Sequence, residues 1–133
     1  LYNGNKKDYK PQVVEILLTK DASIGVACVV REPVEGIVAG GVMRLEIKEK
    51  MNPEYLALVL NSIVGQLQAQ RDAGGSIIAH WKPEQIKNLI VPILPTSIQE
   101  KIADLIVKSH QARKKAKELL DEAKLKVEEM IER

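Results

Sequence analysis

A chain of 133 residues and 14.8 kDa, 45% hydrophobic, can fill one core of the size that roughly 100–200 residues usually share, which excludes a disordered tail. No apolar run approaches the roughly 20 residues that cross a bilayer as a helix, so a helical membrane protein is excluded as well. A net charge of +2 is too small to advertise nucleic acid by itself, and three Tyr, one Trp and no Phe call for an aliphatic core.

The chain changes character near Pro95. Residues 1–95 mix Gly, Pro and β-branched residues and read as a compact body, whereas residues 96–133 contain no Gly or Pro and read as one long helix. The expected fold class is α/β of the α+β kind: a small mixed sheet with one packed helix, followed by a long C-terminal coiled-coil helix.

In chain order, residues 12–18 are rich in Val, Ile and Leu and end at Thr19-Lys20-Asp21, which predicts a strand and a turn. Residues 24–31, 36–39 and 42–47 are read as three further strands. In the last, Met43, Leu45 and Ile47 alternate with Val42, Arg44 and Glu46, so one face is buried and Arg44 looks outward. Asn52-Pro53-Glu54 then opens a helix, with an Asn cap, Pro at the first helical position and an acid in the first turn. Leu56, Val59, Leu60, Ile63 and Leu67 place one apolar stripe along it as far as Arg71. A loop at Gly74-Gly75, a helical turn over 82–86 and a strand over 89–91 lead to Pro92 and Pro95.

Ser97 and Glu100 are spaced as a capping box for the final helix. Ile98, Ile102, Leu105, Ser109, Ala112, Ala116, Leu119, Ala123, Val127 and Met130 follow in steps of four and three, a coiled-coil seam with one stutter. At 1.5 Å per residue the helix runs roughly 50 Å, longer than so small a body is wide. A partner must cover its distal half, and the expected interface is Ile102, Leu105, Ala112, Ala116, Leu119 and Ala123. The helix leaves about 95 residues for the body, small for an independent core.

Catalytic signatures are lacking in the sequence. Asn52-Pro53-Glu54-Tyr55 superficially resembles the Asn-Pro-Pro-Tyr motif of amino-methylating enzymes, but the second Pro is absent and the tetrapeptide reads as a helix start. There is no Gly-x-Gly-x-x-Gly after a strand and no Gly-x-x-x-x-Gly-Lys loop. Cys28 is the only cysteine, which rules out an internal disulfide and a thiolate zinc cluster and fits a reducing, cytoplasmic setting. It reads as a small buried strand residue rather than a nucleophile. No cofactor or metal is expected on this chain.

Binding residues are more plentiful. Arg71, Ser76, His80 and Lys82 flank a Gly-rich loop that also carries Trp81, and Lys20 lies in another loop. These are side chains that hydrogen-bond base edges and phosphates, and they form the expected DNA-facing set. Residues 108–117 add Lys108, Arg113, Lys114, Lys115 and Lys117 with no acid, a solvated helix face or a phosphate contact.

The segment from Asn88 through Pro92, Pro95 and Gln99 to Ile102 resembles the one that closes a target-recognition domain in specificity subunits of type I restriction-modification enzymes. There a hydrophobic strand, a Val/Ile-Pro step and a Pro-Pro pair lead into a Glu-Gln-x-x-Ile helix start. Pro92, Pro95, Gln99 and Ile102 match, while Leu94 stands where the first Pro of the pair is usual and Ile98 where the Glu is usual. Glu15-Ile16-Leu17-Leu18-Thr19 with Ile24-Gly25 is similar to the family's strand and turn, with Ala22 in place of a frequent Gly. Pro53-Glu54-Tyr55-Leu56 and Gly75-Ser76-Ile77 fall in family order, so the resemblance spans roughly residues 9–132.

The resemblance implies a non-catalytic DNA-reading subunit. In the family, two recognition domains each read half of a split target on double-stranded DNA, and the helices that follow them pack antiparallel as a spacer. Methyltransferase subunits supply S-adenosylmethionine and methylate adenine, and a restriction subunit cleaves. One domain and one helix here lead to the expectation of a homodimer through the C-terminal helix. Two other readings stay open: an interaction or assembly module that uses only the helix, and the recognition domain of a fused adenine methyltransferase.

Overall fold

A computed structural model describes residues 10–38, 40–48, 50–75 and 78–132. Among them are three strands, β1 (Ile16–Thr19), β2 (Ala27–Val29) and β3 (Val42–Leu45), and four helices, α1 (Pro53–Asn61), α2 (Ile63–Ala73), α3 (Pro83–Ile86) and α4 (Thr96–Ile131). The strands form one antiparallel sheet in the order β2-β1-β3, with Leu17 opposite Cys28 on one side and Arg44 on the other. The fold is α+β, as the sequence predicts. No helix among the described residues is long and apolar enough to cross a membrane.

Alternation along β1 sends Ile16 and Leu18 into the core, where neither retains any exposure. They meet Ala27 and Val29 of β2, Ala57 and Leu60 of α1, Ala69 and Ala73 of α2, Trp81 and Ile86, with Met43, Leu45 and Ile47 packed at the margin. Arg44 points to the opposite face as expected, yet not into free solvent, because its guanidinium holds Glu15 by two hydrogen bonds of 2.9 and 2.8 Å. Cys28 corrects the reading of a buried thiol: it lies between two inward residues of β2 and is exposed.

The first strand is shorter than its Val-rich run. Gln12 to Glu15 form a turn closed by Glu15 N–H to Gln12 O at 3.1 Å, with the Glu15 carboxylate accepting from Gln12 N–H. Val14 adopts φ 70°, a left-handed conformation that a β-branched side chain rarely takes, and its N–H reaches Val30 O at 2.8 Å. Tertiary hydrogen bonding overrides local β-propensity here. The strand expected over 36–39 is not formed at 36–38, and Ala39 lies outside the described residues.

Asn52 caps α1 as predicted, its Oδ1 accepting from Glu54 N–H at 2.9 Å and Tyr55 N–H at 3.4 Å. The single helix expected to reach Arg71 is instead two. Ser62 is extended (ψ 176°), ends α1, and its Oγ accepts from Val64 N–H to begin α2. The chain turns so tightly that a Cβ on Gly65 would lie 2.2 Å from Leu60 O, so only glycine fits. The turn rotates Ile63 and Leu67 into solvent and brings Gly65, Ala69 and Ala73 inward.

Edge strand β2 needs partners on its open side, and the Asn61 amide supplies them, accepting from Ala27 N–H and donating to Ala27 O, both at 2.8 Å. Asn61→Ala leaves that peptide unpaired, and we expect a loss of about 1–2 kcal/mol in urea denaturation. The strand expected over 89–91 is likewise replaced by side-chain pairing. Gln68 both accepts from Ile90 N–H and donates to Ile90 O at 2.9 Å, and Tyr55 Oη donates to Pro92 O at 2.5 Å.

Helix α4 begins at Thr96 with Pro95 as its cap and no side-chain cap bond, so Ser97 sits inside the first turn and the expected capping box is not formed. Buried Gln99 fixes the start instead, accepting from Asn52 N–H at 3.0 Å and donating to Leu94 O at 2.7 Å. Its 36 residues span about 54 Å, and every residue from Gln111 to Glu132 is exposed.

Candidate nucleic-acid interface

The end of β1 and the segment before α3 meet at one end of the body. Trp81 N–H donates to Lys20 O at 2.7 Å and Ala22 N–H to Ala79 O at 2.9 Å, so Asp21 and His80 pair as an isolated antiparallel bridge. Trp81 is 2% exposed and its Nε1–H donates to Asp72 Oδ2 at 3.1 Å. It is a core residue and not a surface for stacking bases. Because backbone in extended form alternates its side chains, burying Trp81 turns its neighbours His80 and Lys82 outward, and both are exposed.

Two aspartates hold these side chains in place. Asp21 accepts from His80 Nδ1–H at 2.8 Å and pairs with Lys20 Nζ at 3.6 Å, which leaves His80 Nε2 directed to solvent. Asp72 accepts from Arg71 Nε–H at 3.0 Å as well as from the Trp81 indole. The hydrogen bond from His80 chiefly lowers the Asp21 carboxyl below its ordinary 3.8, against desolvation and with help from Lys20. Arg71, then Trp81, does the same for Asp72. Lys20, Arg71 and His80 are thus joined through Asp21, Trp81 and Asp72, and Lys82 follows Trp81 directly. Among the described residues no carboxylate lies within ion-pair distance of Lys82. Ser76, the fifth residue of the expected set, lies outside the described residues.

Asp21 and Asp72 lie outside the expected set, although each directly follows an expected cation, Lys20 or Arg71, and that adjacency is the signal the sequence carries for them. Ala22, where the resembled family often carries Gly, has φ 61°, which glycine adopts without cost. Among the described residues no nucleophile-and-base pair accompanies these groups. What they offer is ammonium and guanidinium donors beside an imidazole whose second ring nitrogen is open to solvent, the chemistry that grips phosphate and reads base edges.

The Glu15–Arg44 pair braces the same sheet and has a pH signature. Hydrogen bonding from Arg44 holds the Glu15 carboxyl below its ordinary 4.5, outweighing burial, which raises it. A lowered folded value gives stability that is complete above about 4.5 and is lost as pH falls through the folded value. The thermal midpoint of the wild type is expected to drop more steeply below pH 4.5 than that of Glu15→Gln.

The residues expected at the helix interface sit apart from this end. Ile102 is half-buried against the body, while Leu105, Ala112, Ala116, Leu119 and Ala123 are exposed, Leu105 at 67% and Leu119 at 52%. The side of α4 that meets the body is Gln99, Ala103, Ile106 and His110, about a third of a turn from the seam.

The family model of the type I restriction modification DNA specificity domain matches residues 1–122. No curated protein matches the chain significantly. Domains of this family recognise DNA sequence without catalysis and associate with methyltransferase and restriction subunits, which favours neither the assembly-module nor the fused-methyltransferase reading. With nearly its whole length covered, an α+β body ending in a cluster of cationic donors, and a long helix leaving that body, the chain belongs to the type I restriction-modification DNA specificity domain family and serves DNA sequence recognition.

Proposed function

We propose that this chain reads one half of a split DNA target in the cytoplasm, and that two copies pair antiparallel through α4 to place two such readers on one duplex. Body 1–95 is the reader and helix 96–133 the spacer. Lys20, Arg71, Ser76, His80 and Lys82 face the DNA.

The observation that carries the pairing is the charge division along α4. Residues 96–117 hold six bases and two acids, and residues 118–132 six acids and two bases. Parallel copies would set like against like, whereas antiparallel copies set the basic half against the acidic half. Opposing Lys117 to Glu118 also opposes Lys114 to Asp121 and Arg113 to Glu122. The same register seats Ala116 on Leu119, Ala112 on Ala123 and Leu105 on Met130, which covers the middle of the exposed seam.

Selection from randomised duplexes, with the methyltransferase subunit present, tests the reading. Enrichment of a two-part motif with a fixed gap is expected, and recovery of no motif would overturn it. Lys82→Ala removes one phosphate contact, so the slope of log affinity against log salt should shrink by about 0.9. Its thermal midpoint should stay within about 4 °C of wild type.

A further inference from the structure

Helix α4 leaves the body through two polar attachments. The first is Gln99, already described, at Asn52. The second lies three turns on, where His110 Nε2 contacts Arg31 Nη2 at 2.7 Å. Arg31 is in turn gripped by Glu54, Nε to Oε1 at 2.8 Å and Nη2 to Oε2 at 2.6 Å. Guanidinium only donates, so His110 Nε2 accepts and its ring proton is on Nδ1. Both attachments converge on the first turn of α1, at Asn52 and Glu54, and Gln99 and His110 share one face of α4.

Apolar packing does not hold the helix beside the second attachment. A groove of about 480 Å³ separates α4 from the turn at Val13 and Val14, with Val107, Gln111 and Lys114 on its helix side. Val13, Val14 and Val107 keep 44%, 58% and 40% of their surface exposed. The helix therefore has room to swing toward the body, and the Arg31 bridge is what spans the gap. Beyond His110 the helix continues through Ile131 for about 32 Å with every residue exposed. A tilt of about 5° at the clamp moves the far end about 3 Å, close to the rise of about 3.4 Å per base pair.

We propose that Arg31, Glu54 and His110 form a clamp that sets the direction of α4, and thereby the gap between the two half-sites that a pair of chains accepts. Arg31 is then a positioning residue for target spacing that touches no DNA. This inference rests on the reading of α4 as the spacer between two readers.

Two measurements on the full chain test it. Spin labels on native Cys28 and on Met130→Cys, in samples diluted with unlabelled chains, report the angle between body and helix without DNA. His110→Leu and Arg31→Leu should broaden the distance distribution, and His110→Gln, whose amide oxygen still accepts, should restore it. Binding is then compared on duplexes whose half-sites are separated by gaps varied one base pair at a time. Wild type should prefer one gap by at least about tenfold, and the Leu variants should flatten that preference to within about threefold while an isolated half-site binds equally well. Unchanged distances in the Leu variants would overturn the clamp whatever the DNA shows. Broadened distances with an unchanged gap preference would overturn its role in spacing. A wild type without any gap preference would instead count against the two-reader function, while the distances still decide whether the clamp exists.

Discussion

The double variant Ala112→Glu, Ala116→Glu is expected to sediment as a monomer at concentrations where the proposed wild-type dimer forms, with its helical circular dichroism intact. Both positions are exposed in the single chain, and Glu is nearly as good a helix former as Ala, so the substitutions leave α4 folded. In the antiparallel pair they place four carboxylates in the middle of the seam, where the facing residues are Leu119 and Ala123. Burying an unpaired carboxylate costs several kcal/mol, more than a narrow Ala-rich seam supplies. Loss of the second reader also removes the gain from two linked contacts, so affinity for the two-part target should fall by about 100-fold or more. Retention of the dimer by this variant would place the interface elsewhere.

Trp81→Ala should cost the body much of its stability. Trp81 is among the largest fully buried side chains, its indole N–H is bonded to Asp72, and its backbone N–H holds Lys20 O. Removing a buried Trp costs about 3–5 kcal/mol, comparable to the whole stability of a small domain, about 5–15 kcal/mol. The same change loosens the segment that carries His80 and Lys82 from the one that carries Lys20, so DNA binding should weaken as well. Trp81→Phe keeps most of the volume and should lose less than half as much. A urea midpoint for Trp81→Ala equal to that of wild type would contradict the placement of this residue at the centre of the core.

Where structure follows from neighbouring residues, the sequence was legible. The Asn52-Pro53-Glu54 start of α1, the inward face of β3 and the continuity of α4 depend on caps and periodicity, which short windows contain. The break at Ser62 was not, because the spacing of Leu56, Val59, Leu60, Ile63 and Leu67 continues through it. Its cause is the close approach of Gly65 to Leu60 in the folded chain. The 89–91 segment has strand composition, yet Gln68 and Tyr55 satisfy its backbone in place of a strand, and such side-chain partners cannot be read from local pattern. At the candidate interface the basic and polar side chains were legible by type. The aspartates that organise them, and Trp81 as core rather than contact, required knowing that residues 20–22 run beside 79–81. The Arg31–His110 contact joins positions 79 apart in the chain, beyond the reach of any motif. Total charge misled in a different way, since a sum of +2 conceals the division of bases and acids along α4.

Native mass spectrometry of the full chain on a duplex selected with its own methyltransferase subunit tests the two-reader arrangement most directly. Two copies of the chain per duplex, with both halves of the target protected from cleavage, is the predicted result. A single copy that protects both halves would contradict it.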